Sequence, residues 1–323
     1  MNAIYGAEPV ILMYHRFSAA PAPRRVSVAA FDQQMSYLAR HANVVTMQEL
    51  NEGLRSGTVF RPNTVAITID DGYADLHDHA FPVLRRHGLP AMAFITSDFA
   101  RGTFWHWPDR LQHILVHCAA PALRVDTASG VMMLDLSTTE QRLEAWNRVA
   151  DYCHELPDAA REQTIADVAR VAQVPVPATA PPEYRGADFD QLRDMVAGGL
   201  SVGGHSVTHP RLTTLADEQL SMEIEVCKKE LERELQVPVT CFAYPFGAPG
   251  DHDDRVHAAV RRAGFASAAV SYFDAHLYDD RYALRRFGVS ADFWDFIKVV
   301  GGLKRARAIQ KDRARVRGSD GRV

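Results

Sequence analysis

Cysteine is scarce in this chain, and long apolar runs are missing altogether. The four cysteines, Cys118, Cys153, Cys227 and Cys241, are scattered without CxxC spacing, which argues against a disulfide frame or a zinc knuckle and fits reduced, buried thiols. Spanning a bilayer as a helix takes about 20 consecutive apolar residues, and no stretch approaches that length. The opening, MNAIYGAEPVILMYH, has no basic start, long apolar centre or small-residue cleavage site, so a secretory leader is not expected and a cytoplasmic setting is. Neither sign of charge dominates. A formal net charge of −4 over 323 residues gives no reason to expect nucleic acid or an anionic membrane as partner.

What the chain does have is a rhythm. Hydrophobic residues make up 47% and charged residues 24%, the balance of an ordinary globular protein. Short runs rich in Val, Ile and Phe read as strands at 10–15 (VILMYH), 43–46 (NVVT), 64–70 (TVAITID), 90–96 (PAMAFIT), 200–205 (LSVGGH), 239–244 (VTCFAY), 266–270 (ASAAV) and 282–289 (YALRRFGV). Helix-like stretches lie between them. One, near 29–41, carries Phe31, Met35 and Leu38 at three-to-four spacing, and another, 216–235, aligns Leu220, Ile224, Cys227, Leu231 and Leu235 on one face. Such alternation implies an α/β fold with a mainly parallel sheet, either a barrel or a doubly wound sheet. The strand count and the absence of GxGxxG after the first strand favour a barrel over about 1–303. Between about 103 and 185 the rhythm breaks into helix-like sequence with no convincing strand, which reads as a helical insertion in one barrel loop. The stretch 304–323 is basic and polar and reads as a helix end followed by a disordered tail.

Three motifs carry chemistry. TIDDGYAD (68–75) ends a strand in two adjacent carboxylates, Asp70 and Asp71, where a βα barrel places its active-site rim. Such a pair can divide the work, one carboxylate ligating a metal while the other takes a proton, although DDG is also good chemistry for a solvated turn. GGHSVTHP (203–210) sets His205 and His209 four residues apart after another strand, close enough for one helical turn or a tight loop to bring both imidazoles together. Two imidazoles and a carboxylate form a common catalytic zinc set with an open position. CFAYPFGAPG (241–250) ends a strand in proline and glycine, which exposes backbone N–H groups as an oxyanion hole requires.

Together and in this order, TIDDG, HSVTH and FAYPFG resemble the polysaccharide deacetylase (NodB homology) family, over most of 1–100 and 198–290. The resemblance implies an irregular (β/α)7 barrel and a metal-dependent hydrolase that releases acetate from an N-acetylated amino sugar. In its terms Asp70 is the general base, and Asp71, His205 and His209 hold one divalent ion, Zn first, with Co, Ni, Mn or Fe(II) also compatible with the donor set. Phe246 would offer its backbone N–H to the oxyanion, and Tyr244 would face the substrate. The family's Leu-x-x-His general acid has no match in the last strands, but Leu12-Met13-Tyr14-His15 supplies one on the first, as in a permuted branch that includes poly-N-acetylglucosamine deacetylases. His15 is therefore the expected acid. One departure stands out: Ala243 occupies the place of an arginine that orients the catalytic aspartate in many members. Arg286 is the expected substitute, with Arg285 as the fallback. Trp105 and Trp107, following the strand PAMAFIT, are expected to stack on sugar faces in the cleft. Ring-opening of a cyclic ureide or other non-sugar amide, ester deacetylation, and sugar binding without catalysis are the competing readings on the same barrel.

Overall fold

VILMY and TVAITI contain no charge and no glycine, and each is buried along its whole length, as strands covered on both faces must be. They are two of seven parallel strands: β1 (Val10–Tyr14), β2 (Thr64–Ile69), β3 (Met92–Ile95), β4 (Ser201–Gly204), β5 (Cys241–Ala243), β6 (Ser267–Ala269) and β7 (Phe287–Gly288). This computed structural model describes residues 8–128, 130–274, 276–304 and 306–307. The strand order is β6-β5-β4-β3-β2-β1-β7, with the short strand Asn43–Val44 paired to β2 beside this path. Leu12 lies opposite Phe287 and Met13 opposite Gly288, so the first and last strands are neighbours. A parallel bridge from Ala269 to Leu284, with Val270 N–H donating to Leu284 O at 2.9 Å, joins the segment leading into β7 back to β6. The curled sheet thereby returns on itself, which is the expected barrel.

Two apolar layers hold it. Inside the ring, Ile11, Ala66, Met92, Phe94, Cys241, Ala243, Ala269 and Leu284 pack together, and helix Met47–Ser56 contributes Met47 and Leu50 to the same cluster. Outside, the alternate residues of the same strands, among them Leu12, Ile67, Ala93, Val202, Phe242 and Ala268, meet the helices. Helix Val28–His41 presents Phe31, Met35 and Leu38, and helix Asp217–Leu235 presents Leu220, Ile224, Cys227, Leu231 and Leu235, the faces expected from their spacing. All four cysteines are free and buried. Among the described residues no helix is long and apolar enough to cross a membrane.

Several expected boundaries move. The strand expected at 43–46 stops at Val44, because Thr46 caps helix Met47–Ser56 in a reciprocal capping box with Glu49. The strand expected at 282–289 shrinks to Phe287–Gly288. Its earlier residues are held by loops instead, Arg285 N–H donating to Leu277 O and Arg286 N–H to Tyr272 O.

The chain divides into two compact units, Met1–Arg101 with Gly186–Val323, and Gly102–Arg185. The second contains helices Trp107–His117, Thr139–Glu155 and Asp158–Ala172, together with an antiparallel hairpin, Ala122–Thr127 against Gly130–Asp135. The hairpin corrects the expectation of helix alone. Its signal is the period-two burial of Leu123 and Val125, which the charges of Arg124 and Asp126 between them disguise. The basic stretch expected to be disordered lies, apart from residues 304, 306 and 307, outside the described residues.

Candidate active site

The C-terminal ends of β1, β2, β4 and β5 bring the chemical groups to one rim. At the end of β2 the backbone turns left-handed, with φ 72° at Asp71 and 85° at Gly72. Gly72 is required there, since a Cβ would stand 2.8 Å from Ile95 Cδ1. The turn sends two adjacent carboxylates to different partners.

Asp70 is buried, and Arg286, fully buried itself, grips it with both arms: Nη1 donates to Oδ1 at 2.6 Å and Nη2 to Oδ2 at 2.7 Å. Arg286 is held in turn by donating Nε–H to Val270 O at 3.0 Å and Nη1 to Thr68 Oγ1 at 3.1 Å. Burial, the largest single influence, pushes the Asp70 carboxyl up; the Arg286 charge, then His205, then the Arg286 hydrogen bonds and His15, outweigh it and hold the group below its ordinary value. Arg285 goes elsewhere, to Asp274 at 3.1 Å. The arginine missing at Ala243 thus has a counterpart in Arg286, the residue that leads into β7.

Asp71 meets the two histidines. Its Oδ1 is 3.4 Å from His205 Nε2 and 3.6 Å from His209 Nε2. His205 Nδ1 lies 2.8 Å from Ala243 O, an atom that can only accept, so Nδ1 donates to it and Nε2 is the ring nitrogen that faces the cluster. Burial depresses the His205 pKa, but the hydrogen bond with Asp71, the charges of Asp70 and Asp71 and the Ala243 carbonyl raise it further, for a net rise. The three donor atoms all lie within 4.8 Å of one another. A tetrahedral ion bound at about 2.0–2.1 Å would need donors separated by roughly 3.4 Å, so the Asp71–histidine spacings fit a divalent metal.

Between the histidines the chain is a tight loop. Ser206 (φ 64°) and His209 (φ 57°) are left-handed, as are Asp71 (φ 72°) and Phe246 (φ 60°). Four of the eight non-glycine residues with positive φ among those described therefore sit at this rim, where such strain, roughly 1–3 kcal/mol each, is typically stored. The Phe246 ring packs edge-on to His209, centroids 4.8 Å apart, while Gly247 N–H donates to Pro245 O at 2.7 Å to shape the turn.

His15 follows β1, with Nε2 3.9 Å from Asp70 Oδ2 and its side chain 45% exposed, the most open of these groups. The structure adds a residue to which the sequence reading gave no role. Asp75, the last residue of TIDDGYAD, accepts from Arg16 Nε at 2.7 Å and from Phe17 N–H at 3.1 Å, fixing the chain immediately beyond His15.

Three expected substrate contacts are corrected. Tyr244 is buried, donates its hydroxyl to Tyr282 O at 2.8 Å, and stacks on His252 and His257, so it supports the barrel. Trp105 and Trp107 are 4% and 6% exposed, too covered to offer a ring face to a sugar. Within their own unit Trp105 packs beside Tyr184 and His113, and the Arg161 guanidinium lies 5.5 Å from the Trp107 ring centre.

The chain matches the family model described as polysaccharide deacetylase over residues 58–117 and 156–268. Those segments contain Asp70, Asp71, His205, His209 and Phe246, and leave His15 and Arg286 outside. A curated relative, YxkH of Bacillus subtilis (strain 168), assigned by name to the polysaccharide deacetylases, is 35% identical over 88 residues, which are 26% of this chain and 30% of that one. Among solved structures, the Streptococcus pyogenes deacetylase PplD in complex with acetate superposes with a TM-score of 0.59 at 15% identity, covering 89% of this chain and 95% of PplD. IcaB from Ammonifex degensii gives 0.59 at 19% identity over 92% and 97%. A de-N-acetylase from Aggregatibacter actinomycetemcomitans gives 0.57 at 14% over 90% and 99%. At these identities the superpositions speak for the barrel fold, and the family model, spanning more than half of the chain, speaks for descent. This chain belongs to the polysaccharide deacetylase family.

Proposed function

We propose that the protein hydrolyses the N-acetyl group of an N-acetylated amino sugar, carried on a glycan, a nucleotide, a lipid or a small glycoside, and releases acetate. The observation that carries this is the division of the adjacent carboxylates: Asp71 joins His205 and His209, while Asp70 is held apart by Arg286. A site that only bound sugar would have no use for a second, oriented carboxylate.

Asp71, His205 and His209 would hold one divalent ion, which when bound supplies Lewis acidity to the acetyl carbonyl and lowers the pKa of water from about 15.7 towards 7 in the best zinc sites. Asp70 then takes the proton as water attacks, its orientation fixed by two hydrogen bonds from Arg286. The Phe246 N–H stabilises the negative charge that gathers on the carbonyl oxygen. An amide nitrogen cannot depart as a bare anion, and His15, exposed and beside Asp70, donates the proton it needs.

The test is acetate release from N-acetylglucosamine oligomers and from UDP-N-acetylglucosamine, with zinc, cobalt, nickel, manganese and iron(II) supplied in turn to metal-free protein. Acetate from a sugar substrate, dependent on one of these ions, is expected. Ring-opening of allantoin without acetate release from any sugar would replace this reading with the cyclic-ureide one.

A further inference from the structure

We propose that Glu223 is a positioning residue for the metal triad: it folds the loop that carries His205 and His209 into the one shape that lets both point at Asp71. The inference rests on the metal reading above and adds a residue to it.

Histidines four residues apart would meet readily on a helix, but here they lie on a non-helical turn with two left-handed non-glycine residues, Ser206 and His209. Such a turn persists only where its surroundings over-determine it. Ser97 N–H donates to Ser206 O and Asp98 N–H to Val207 O, both at 3.1 Å, and His209 N–H donates to Ser206 Oγ at 2.9 Å. These contacts hold the loop's carbonyls and its end. Its middle is held by one side chain. Glu223 Oε2 accepts from Val207 N–H at 2.8 Å and Thr208 N–H at 2.9 Å, and Oε1 accepts from Thr208 Oγ1 at 2.6 Å. Helix Asp217–Leu235 fixes Glu223 itself, since its neighbours Leu220, Ile224 and Cys227 are buried in the core. A rigid element thus reaches into the turn and satisfies the two consecutive amides that the left-handed geometry turns away from any ladder.

The hydrogen bonds, and not the negative charge, are what the position needs. A glutamine keeps one oxygen for both amides, and its NH2 can donate to the Thr208 hydroxyl, which then accepts. Glu223→Gln should therefore preserve the loop, whereas Glu223→Ala should release it.

The experiment compares wild type, Glu223→Gln and Glu223→Ala in two readouts: amide exchange at Val207 and Thr208 in metal-free protein, and zinc affinity by chelator competition. Expected for Glu223→Ala are loss of protection at both amides and zinc binding weaker by about 10–100-fold, the usual effect of losing a group that orients ligands. Glu223→Gln should stay close to wild type in both. Unchanged protection and affinity in Glu223→Ala would overturn the proposal, and so would a glutamine variant as impaired as the alanine one. Should Glu223→Ala not fold, Thr208→Val, which removes one of the three bonds, must still show faster exchange at Thr208, or the proposal fails. Absence of zinc binding by the wild type would count against the metal reading alone, because exchange at the two amides still decides what Glu223 does.

Discussion

Asp70 and Arg286, 216 residues apart in sequence, are both buried and meet through two hydrogen bonds. Removing one member of such a pair strands the other's charge, at a cost of about 3–5 kcal/mol. Arg286→Met should therefore lower the unfolding free energy by that much, and adding Asp70→Asn should restore part of the loss, which urea titrations of the single and double variants would read. Asp70→Asn alone should abolish turnover while zinc still binds, since it removes a base and leaves the triad intact; near-normal kcat in that variant would remove Asp70 from the mechanism. His15→Ala should slow amide hydrolysis by on the order of 10² to 10⁴ and cost far less on an acetyl ester with a good leaving group. Equal losses on both substrates would mean that His15 shapes the site and donates no proton. The residues legible in the sequence are those whose meaning is local. TIDDG and HSVTH gain their meaning from the family resemblance that they carry together, and Arg286 could be sought because that resemblance leaves Ala243 where an arginine is usual. Tyr244, Trp105 and Trp107 were misread because an aromatic ring near a strand end suits a cleft and a core equally well, and only remote partners such as Tyr282 O decide between them.

At the scale of elements, the loop after β5 is pinned at its base by a column of rings: Tyr244, His252 and His257 stack, and His252 Nδ1 lies 2.9 Å from His257 Nε2. Burial, then the neighbouring His257 and Arg285, lowers the His252 pKa from 6.5 to about 4, and burial lowers that of His257 as well. A histidine kept neutral by folding takes up its proton more readily when unfolded. Between about pH 6.5 and 4 the unfolded state thus binds more protons, and stability falls as pH falls through that window. Melting temperatures measured across it should drop for the wild type and drop less for His252→Phe; identical slopes would show that the column does not titrate. Gly203, in β4 two residues before His205, has no room for a side chain, since a Cβ would sit 2.5 Å from Phe94 Cδ1 and 2.9 Å from Cys241 O. Gly203→Ala should cost roughly 1–3 kcal/mol by overpacking the barrel interior, seen as a lower urea midpoint. The buried strands and amphipathic helices were readable because their apolar pattern is their cause of folding. The hairpin at 122–135 and the shortness of β7 were not, because one hides its alternation between charges and the other is held by loop carbonyls distant in sequence.

For the whole molecule, a metal that binds only the folded state adds stability by mass action, about 2.7 kcal/mol at a free concentration 100 times its Kd. Melting temperature should rise with added zinc and fall with a chelator, and Asp71→Asn should lose most of that response while Asp70→Asn keeps it. The alternation of strands and helices made the barrel foreseeable, because each βα step obeys local pattern. The break in rhythm at about 103–185 coincides with the second unit, Gly102–Arg185, but its compactness did not follow from pattern, because that depends on which segments find one another. Ring closure has one more consequence, in time. The proposed base leaves the ribosome long before the arginine that steadies it; at about 5–20 residues per second the interval is roughly ten to forty seconds. Until β7 seats beside β1, a nascent chain carries both motifs of the triad and an unsteadied Asp70. On the proposed reading, synthesis itself delays hydrolysis, and a chain released before residue 286 should release no acetate.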